Sequence, residues 1–239
     1  VHIERNDAYL TLETDSDIPI EECFRRLGGS LSVGESVATL GQDAVIDIAN
    51  VLEEMHEDGK IRFGISGVKD RVGIQVKKEL KARGYSARFV SIKNMASIVH
   101  NNLVERSSHL TVHKGIIYQT KAVHDFEAMA DFDEARPAYD AVSGMLPPKL
   151  ARMMLNIAEV QKDTTLLDPF CGSGTVLLEG MQLEVQQRIG SDISTKAVDD
   201  TKTNMNWMAE QTLAKNINWE VHEGDVRNLS SHVTLGSIS

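Results

Sequence analysis

The amino-acid sequence predicts an α/β fold in two parts, and three observations carry that prediction. Strand-like and helix-like stretches alternate along most of the chain. The stretch from Leu166 to Glu179, LLDPFCGSGTVLLE, reads as strand, glycine turn and helix. Acids stand at the expected carboxyl ends of three successive strands, at Asp168, Asp192 and Asp225. A two-glycine turn lets the backbone approach a bound molecule closely, and the helix after it presents unpaired amides and the positive end of its dipole. Asp168 would repel a phosphate, and the turn has neither the Lys-Ser/Thr ending of a P-loop nor the third glycine of a dinucleotide fingerprint. By themselves these residues point to a nucleotide-like cofactor at a helix N-terminus, or to a tight turn in an α/β domain.

The elements follow in order from periodicity. Tyr9 to Thr14 alternates as a strand, and Ile20, Cys23, Phe24 and Leu27 make a helical stripe stopped by Gly28-Gly29. Ser30 to Leu40 predicts a strand or hairpin, and Val45, Ile48, Leu52 and Met55 a helix ending near Asp58-Gly59. Ile61, Phe63 and Ile65 alternate as a strand before Gly67. Val72, Val76 and Leu80 line a helix closed by Gly84, with Lys77, Lys78 and Lys81 on its exposed side. A short strand is expected at Ala87 to Val90 and a helix through Met95, Ile98, Val99 and Leu103. Leu110 to Val112 and Ile116 to Tyr118, separated by Lys114-Gly115, read as a hairpin.

His124 to Asp140 is acidic and irregular and reads as a linker between a domain at residues 1–123 and a second at residues 141–239. Pro147-Pro148 cannot lie inside a helix but opens one, and the stripe Leu150, Met153, Met154 and Ile157 behind it is expected to pack in the core. Thr165 to Asp168, Arg188 to Ser191 and Ile217 to Val221 are the expected strands of the second domain. Ser194 is placed to cap a helix carrying Ala197, Thr201, Met205 and Met208.

Composition narrows the function classes. At 239 residues, 41% hydrophobic and 25% charged, this is an ordinary globular chain. No apolar run approaches the ~20 residues needed to span a bilayer, and no signal peptide is visible. Cys23 and Cys171 make no disulfide framework, and no Cys/His spacing resembles a zinc site, so the expectation is a cytoplasmic protein with no metal and no membrane partner. The chain begins at Val1 and not at Met, as expected of a processed chain or a fragment. The formal charge of −10 hides an asymmetry: Lys60 to Val123 holds thirteen Lys/Arg against three acids, a formal +10 that leaves −20 elsewhere. That segment is the candidate polyanion surface, or else a set of solvated helix faces.

The string Asp168-Pro-Phe-Cys-Gly-Ser-Gly-Thr175 resembles motif I of the S-adenosylmethionine-dependent methyltransferases that act on amino groups of nucleobases. Leu146-Pro-Pro-Lys-Leu-Ala151 is similar to their motif X turn, and Gly190-Ser-Asp-Ile-Ser194 and Gly224-Asp225-Val226 stand where the ribose and adenine contacts are found. In the first domain, Arg26-Leu-Gly-Gly29 and Gly84-Tyr-Ser-Ala-Arg-Phe-Val90, in this order of elements, resemble a THUMP domain. Together the series looks most like the archaeal-type tRNA guanine-N2-methyltransferase family.

The resemblance implies a Rossmann-like class I methyltransferase domain, incomplete in this chain, preceded by an α/β THUMP-like RNA-binding domain. It implies S-adenosylmethionine as cofactor, with Pro147 near its methionine end, Asp168, Phe170, Gly172, Gly174 and Thr175 at the turn, Asp192 and Ile193 at the ribose, and Asp225 and Val226 at the adenine. Asp192 follows Asp168 at the spacing by which dinucleotide folds place a ribose acceptor. It implies tRNA as partner, docked on the basic segment with Lys77, Lys78, Lys81, Arg83 and Arg88 as candidate phosphate contacts. The family's Asp/Asn-Pro-Pro-Tyr-like catalytic motif is not found, and catalytic residues are expected beyond Ser239. Two other readings remain open at this stage, a DNA amino-methyltransferase and a non-catalytic RNA-binding protein.

Overall fold

The computed structural model describes residues 2–6, 8–14, 18–56, 59–124, 130, 133–140, 144–212 and 218–231. A hairpin comes first, strands β1 (His2–Asn6) and β2 (Tyr9–Glu13), of which only the second is legible in the sequence. Helix α1 (Ile20–Arg26) and strand β3 (Ser32–Thr39) follow, then α2 (Ala44–Glu54), β4 (Lys60–Ser66), α3 (Asp70–Ala82), β5 (Ser86–Val90), α4 (Met95–Val99), β6 (His109–His113) and β7 (Ile116–Val123). The segment expected as a strand or hairpin is thus the single strand β3, paired antiparallel with β7. Helix α4 is shorter than its stripe implied, and residues after it turn with Asn102 at φ 52. Asparagine tolerates that left-handed conformation, and Leu103 still buries its side chain completely.

These strands form one mixed sheet of order β3-β7-β6-β4-β5, with β4 parallel to both β5 and β6. Helices α2 and α3 cover one face, and the core between them holds Ile48, Leu52, Ile61, Phe63, Ile65, Val76, Leu80, Leu110 and Ile117. Asp43 caps α2 by accepting from the amides of Val45 and Ile46. On the other face a polar knot is buried: His109 joins Ser66 Oγ at 3.0 Å and Thr120 Oγ1 at 2.7 Å through its two ring nitrogens. Burial lowers the His109 pKa to about 4, so the ring is neutral.

The second sheet is built from α5 (Pro148–Ile157), β8 (Thr165–Asp168), α6 (Thr175–Gln182), β9 (Gln187–Asp192), α7 (Thr195–Thr212) and β10 (Asn218–Glu223). Its three strands are all parallel, in the order β10-β9-β8. Leu166, Leu177, Leu178, Met181, Val198, Met205, Met208 and Val221 make its core. Ile217, the expected first residue of the third strand, lies outside the described residues.

The stripe on α5 is corrected by the structure. Its buried face is Ala151, Arg152 and Leu155, while Leu150, Met154 and Ile157 are exposed, Ile157 by 83%. What replaces the expected apolar contact is an ion pair: Arg152 Nε donates to Glu179 Oε2 at 2.7 Å, with Gln182 also accepting from the guanidinium. Met153 faces the Gly28-Gly29 turn after α1 instead. There Gly28, which the sequence marks as a helix stop, permits a close approach, since a Cβ on it would stand 2.5 Å from the Lys149 carbonyl oxygen. Arg26 donates to the Val160 carbonyl and Asn156 to the Arg26 carbonyl across the same contact.

Candidate cofactor site

Three parallel neighbouring strands end together, and the acids expected there are at or just past their ends. Asp168 closes β8, Asp192 closes β9, and Asp225 follows β10 at the start of a 3-10 helix (Val226–Ser231). Between β8 and α6 the chain turns through Gly172 (φ +53) and Gly174 (φ +89), conformations that a side chain would strain. Gly174 also packs against Thr201, whose methyl would be 3.0 Å from an added Cβ. In front of Gly172 there is open space: nothing lies within 4 Å of the same added atom.

The turn is latched to β9. Cys171 N donates to the Ser191 carbonyl at 2.9 Å and Gly172 N to Asp192 Oδ2 at 3.0 Å, while Asp192 Oδ1 accepts from Ser194 N at 2.9 Å. Each carboxylate oxygen offers about two lone-pair directions, so one remains on each for a further donor. Asp168 Oδ1 accepts from Phe170 N at 3.1 Å. Burial pushes the Asp168 carboxyl above the usual carboxylate range; the Phe170 amide opposes that shift, and Asp192 nearby adds to it. A desolvated carboxyl beside a second carboxylate favours a cationic neighbour. Phe170, Ile193 and Val226 leave apolar side chains exposed at this same edge. The Cys171 thiol is pushed up to about 11, mainly by burial, and is a packing group.

Three of the expected residues also have partners within the protein or a place in its helices. Thr175 is buried, and its hydroxyl accepts from Arg136 Nη1 at 3.0 Å, so it ties down the chain entering the domain. The carboxylate of Asp225 is engaged by Arg227, whose Nε lies 2.9 Å and 3.0 Å from its two oxygens. Pro147 precedes α5 as its cap residue, and α5 packs on α6. The residues missed in sequence are Arg136, Thr201 and Asn204. Thr201 was legible only as part of a helical stripe, and Arg136 lay in what read as linker. The end of that linker is fixed, because Asn204 bonds the backbone of Ala138.

The candidate phosphate contacts divide. Lys78 and Lys81 are exposed and Lys77 half-buried along α3. Arg83 is held by Glu53 at 2.7 Å and Glu79 at 2.9 Å. Arg88 is exposed on the edge strand β5, where Ala87 and Phe89 face the α3 side; alternation puts Arg88 on the opposite face, in register with Arg62. Among the described residues no cluster of metal-ligating side chains occurs, and no helix is long and apolar enough to cross a membrane.

Comparison with known proteins found similarity over parts of the chain. Residues 137–239 match the family described as UPF0020, RMKL-like, methyltransferase domain. A tRNA (guanine(10)-N2)-dimethyltransferase of Methanothermobacter thermautotrophicus is 38% identical over 76 residues, 31% of this chain and 22% of that protein. An enzyme of the same name from Methanocaldococcus jannaschii is 40% identical over 62 residues, 26% of this chain and 17% of that protein. Among solved structures, TrmN from Thermus thermophilus aligns with a TM-score of 0.47 and 17% identity, over 94% of this chain and 65% of that one. The matched stretches span under a quarter of the two curated relatives' own length. Residues 137–239, the part of this chain that carries the glycine turn and the three acids, are therefore the part that resembles a methyltransferase domain.

Proposed function

We propose that this chain is the RNA-docking part and the cofactor-binding part of an S-adenosylmethionine-dependent methyltransferase that modifies the exocyclic N2 amine of a guanine in tRNA. The observation that carries the reading is the convergence of Asp168, Asp192 and Asp225 on one edge of a parallel sheet, around a glycine turn with open space before it. The matched relatives bear the name of that activity. The cofactor supplies an activated methyl group on a sulfonium. The free lone pairs of Asp192 accept the ribose hydroxyls, and Ile193, Val226 and Phe170 cover the adenine ring. The desolvated Asp168 carboxyl attracts the cationic end of the molecule. Asp225 accepts from the adenine amine while sharing its carboxylate with Arg227.

Residues 1–123 form the docking domain, and residues 124–140 lead into the methyltransferase domain at 141–239, in a cytoplasmic protein. Lys77, Lys78, Lys81 and Arg88 contact phosphates, while Arg83 supports α2 and α3 through its two glutamates. The test is paired. Calorimetry with S-adenosylhomocysteine reads the cofactor site, and filter binding of a structured tRNA and a duplex DNA at several salt concentrations reads the docking domain. A log–log salt slope of about −0.7 to −0.9 per phosphate neutralised, and preference for tRNA, are the expected results. Equal affinity for both nucleic acids, or no binding at low salt, removes the RNA reading; no heat with S-adenosylhomocysteine removes the cofactor reading.

A further inference from the structure

Asn204 is fully buried on α7, and its carboxamide joins stretches of chain far apart in sequence. Its Oδ1 accepts from Ala138 N at 3.0 Å, and its Nδ2 donates to the Ala138 carbonyl at 3.0 Å and to the Ser173 carbonyl at 2.9 Å. The pair of bonds to Ala138 is what a neighbouring strand would offer, and the third bond reaches the glycine turn. One helical turn earlier, Thr201 Oγ1 donates to the Gly172 carbonyl at 2.7 Å. Two consecutive carbonyls of the turn are thus drawn toward α7, while Asp192 holds the Gly172 amide from the β9 side. Arg136 completes the arrangement. Its side chain is buried, it lies 2.5 Å from Asp133 Oδ1, and it donates to Thr175 Oγ1 at the first residue of α6.

We propose that Asn204 and Arg136 are positioning residues of the cofactor turn, making residues 136–138 a structural part of it although neither side chain is needed to touch the cofactor. The proposal rests on the reading of this turn as the cofactor site. The helix bearing Asn204 is anchored independently by Val198, Met205 and Met208 in the core, so loss of the carboxamide acts on the turn more than on the packing of α7. What the turn needs is a fixed backbone: the open side of Gly172 faces a ligand only while its carbonyl is directed elsewhere, and a misplacement of about 1 Å in a preorganised site costs function out of proportion to its effect on stability. Because the chain from the first domain enters through residues 136–138, the same bonds tie the cofactor site to the segment that leads to the docking domain.

The experiment uses the full chain and two readouts, the dissociation constant of S-adenosylhomocysteine and amide hydrogen exchange of the peptide covering residues 170–175. Asn204→Ala is compared with Val185→Ala, a core truncation at a residue 1% exposed in the same domain. Asn204→Asp is the second variant, keeping the acceptor for Ala138 N and losing both donors; Arg136→Gln removes the charge beside Thr175. Expected are about tenfold weaker binding and about tenfold faster exchange in the turn for both Asn204 variants, a smaller change of the same sign for Arg136→Gln, and neither effect for Val185→Ala at an equal loss of Tm. Turn exchange unchanged in the Asn204 variants, or changed equally in Val185→Ala, overturns the proposal. Wild-type protein that binds no S-adenosylhomocysteine while its turn responds to Asn204→Ala refutes the cofactor reading and upholds the positioning role.

Discussion

Replacing Asp192 by alanine removes a bridge as well as a ligand contact. In the free protein two backbone amides, of Gly172 and Ser194, lose their acceptor. The bond to Gly172 is partly buried and charge-assisted, worth about 1.5–3 kcal/mol, and the exposed one to Ser194 is an Asx-type turn just ahead of the helix, worth about 1 kcal/mol. The sum, roughly 2–4 kcal/mol, corresponds to a fall of roughly 5–15 °C in the unfolding transition of a domain assembly of this size. In the bound state two hydroxyl contacts are lost in addition, so S-adenosylhomocysteine binding weakens at least tenfold, about 1.4 kcal/mol. Asp192→Asn separates the two effects, because it keeps one acceptor oxygen for a backbone amide: about half of the stability loss is expected. The assays are differential scanning calorimetry without ligand and isothermal calorimetry with it. An unchanged transition in Asp192→Ala refutes the bridge, and unchanged affinity refutes the ribose assignment.

Two further predictions concern other parts of the molecule. His109 has its pKa lowered to about 4 from 6.5, so an unfolded chain takes up a proton that the folded one refuses. The neutral ring's contribution is complete above about pH 6.5 and is lost as pH falls toward 4, by roughly 3 kcal/mol over that window; thermal melts at graded pH should show the slope in wild type and not in His109→Gln, and identical slopes would remove His109 as its source. On α5 the two faces should answer oppositely: Ile157→Ser should change stability by no more than about 0.5 kcal/mol, and Arg152→Met should cost about 3–5 kcal/mol by leaving Glu179 buried without its cation. Urea denaturation of both variants reads this, and a large loss in Ile157→Ser would restore the apolar stripe to the core.

Much of the candidate site was legible because it is local. The glycine turn, the acid before it and the acids at the next two strand ends are each set by a few adjacent residues, and a parallel α/β sheet brings successive strand ends to one edge whatever the loops do. The helices and strands were readable for the same reason, since periodicity is a property of neighbouring residues. The strand β1 was not, for five residues paired only with β2 carry little pattern of their own.

The sequence by itself determined most of the elements, though not β1 or the length of α4, and also that Gly172 and Gly174 make the turn and that acids stand at or beside three strand ends. Tertiary structure alone decided what each polar group is used for. Arg83 reads as a surface cation until Glu53, thirty residues earlier, is folded against it. Leu150, Met154 and Ile157 form a stripe in any helix, yet whether a stripe is covered depends on a neighbour, and here the covered face is the one carrying Arg152 opposite Glu179. Asn204 looks like an ordinary helical asparagine, and its role comes from Ala138, 66 residues away, and Ser173, 31 residues away. The physical reason is that burial and hydrogen bonding belong to pairs of groups brought together in space, whereas periodicity and turn chemistry belong to the chain.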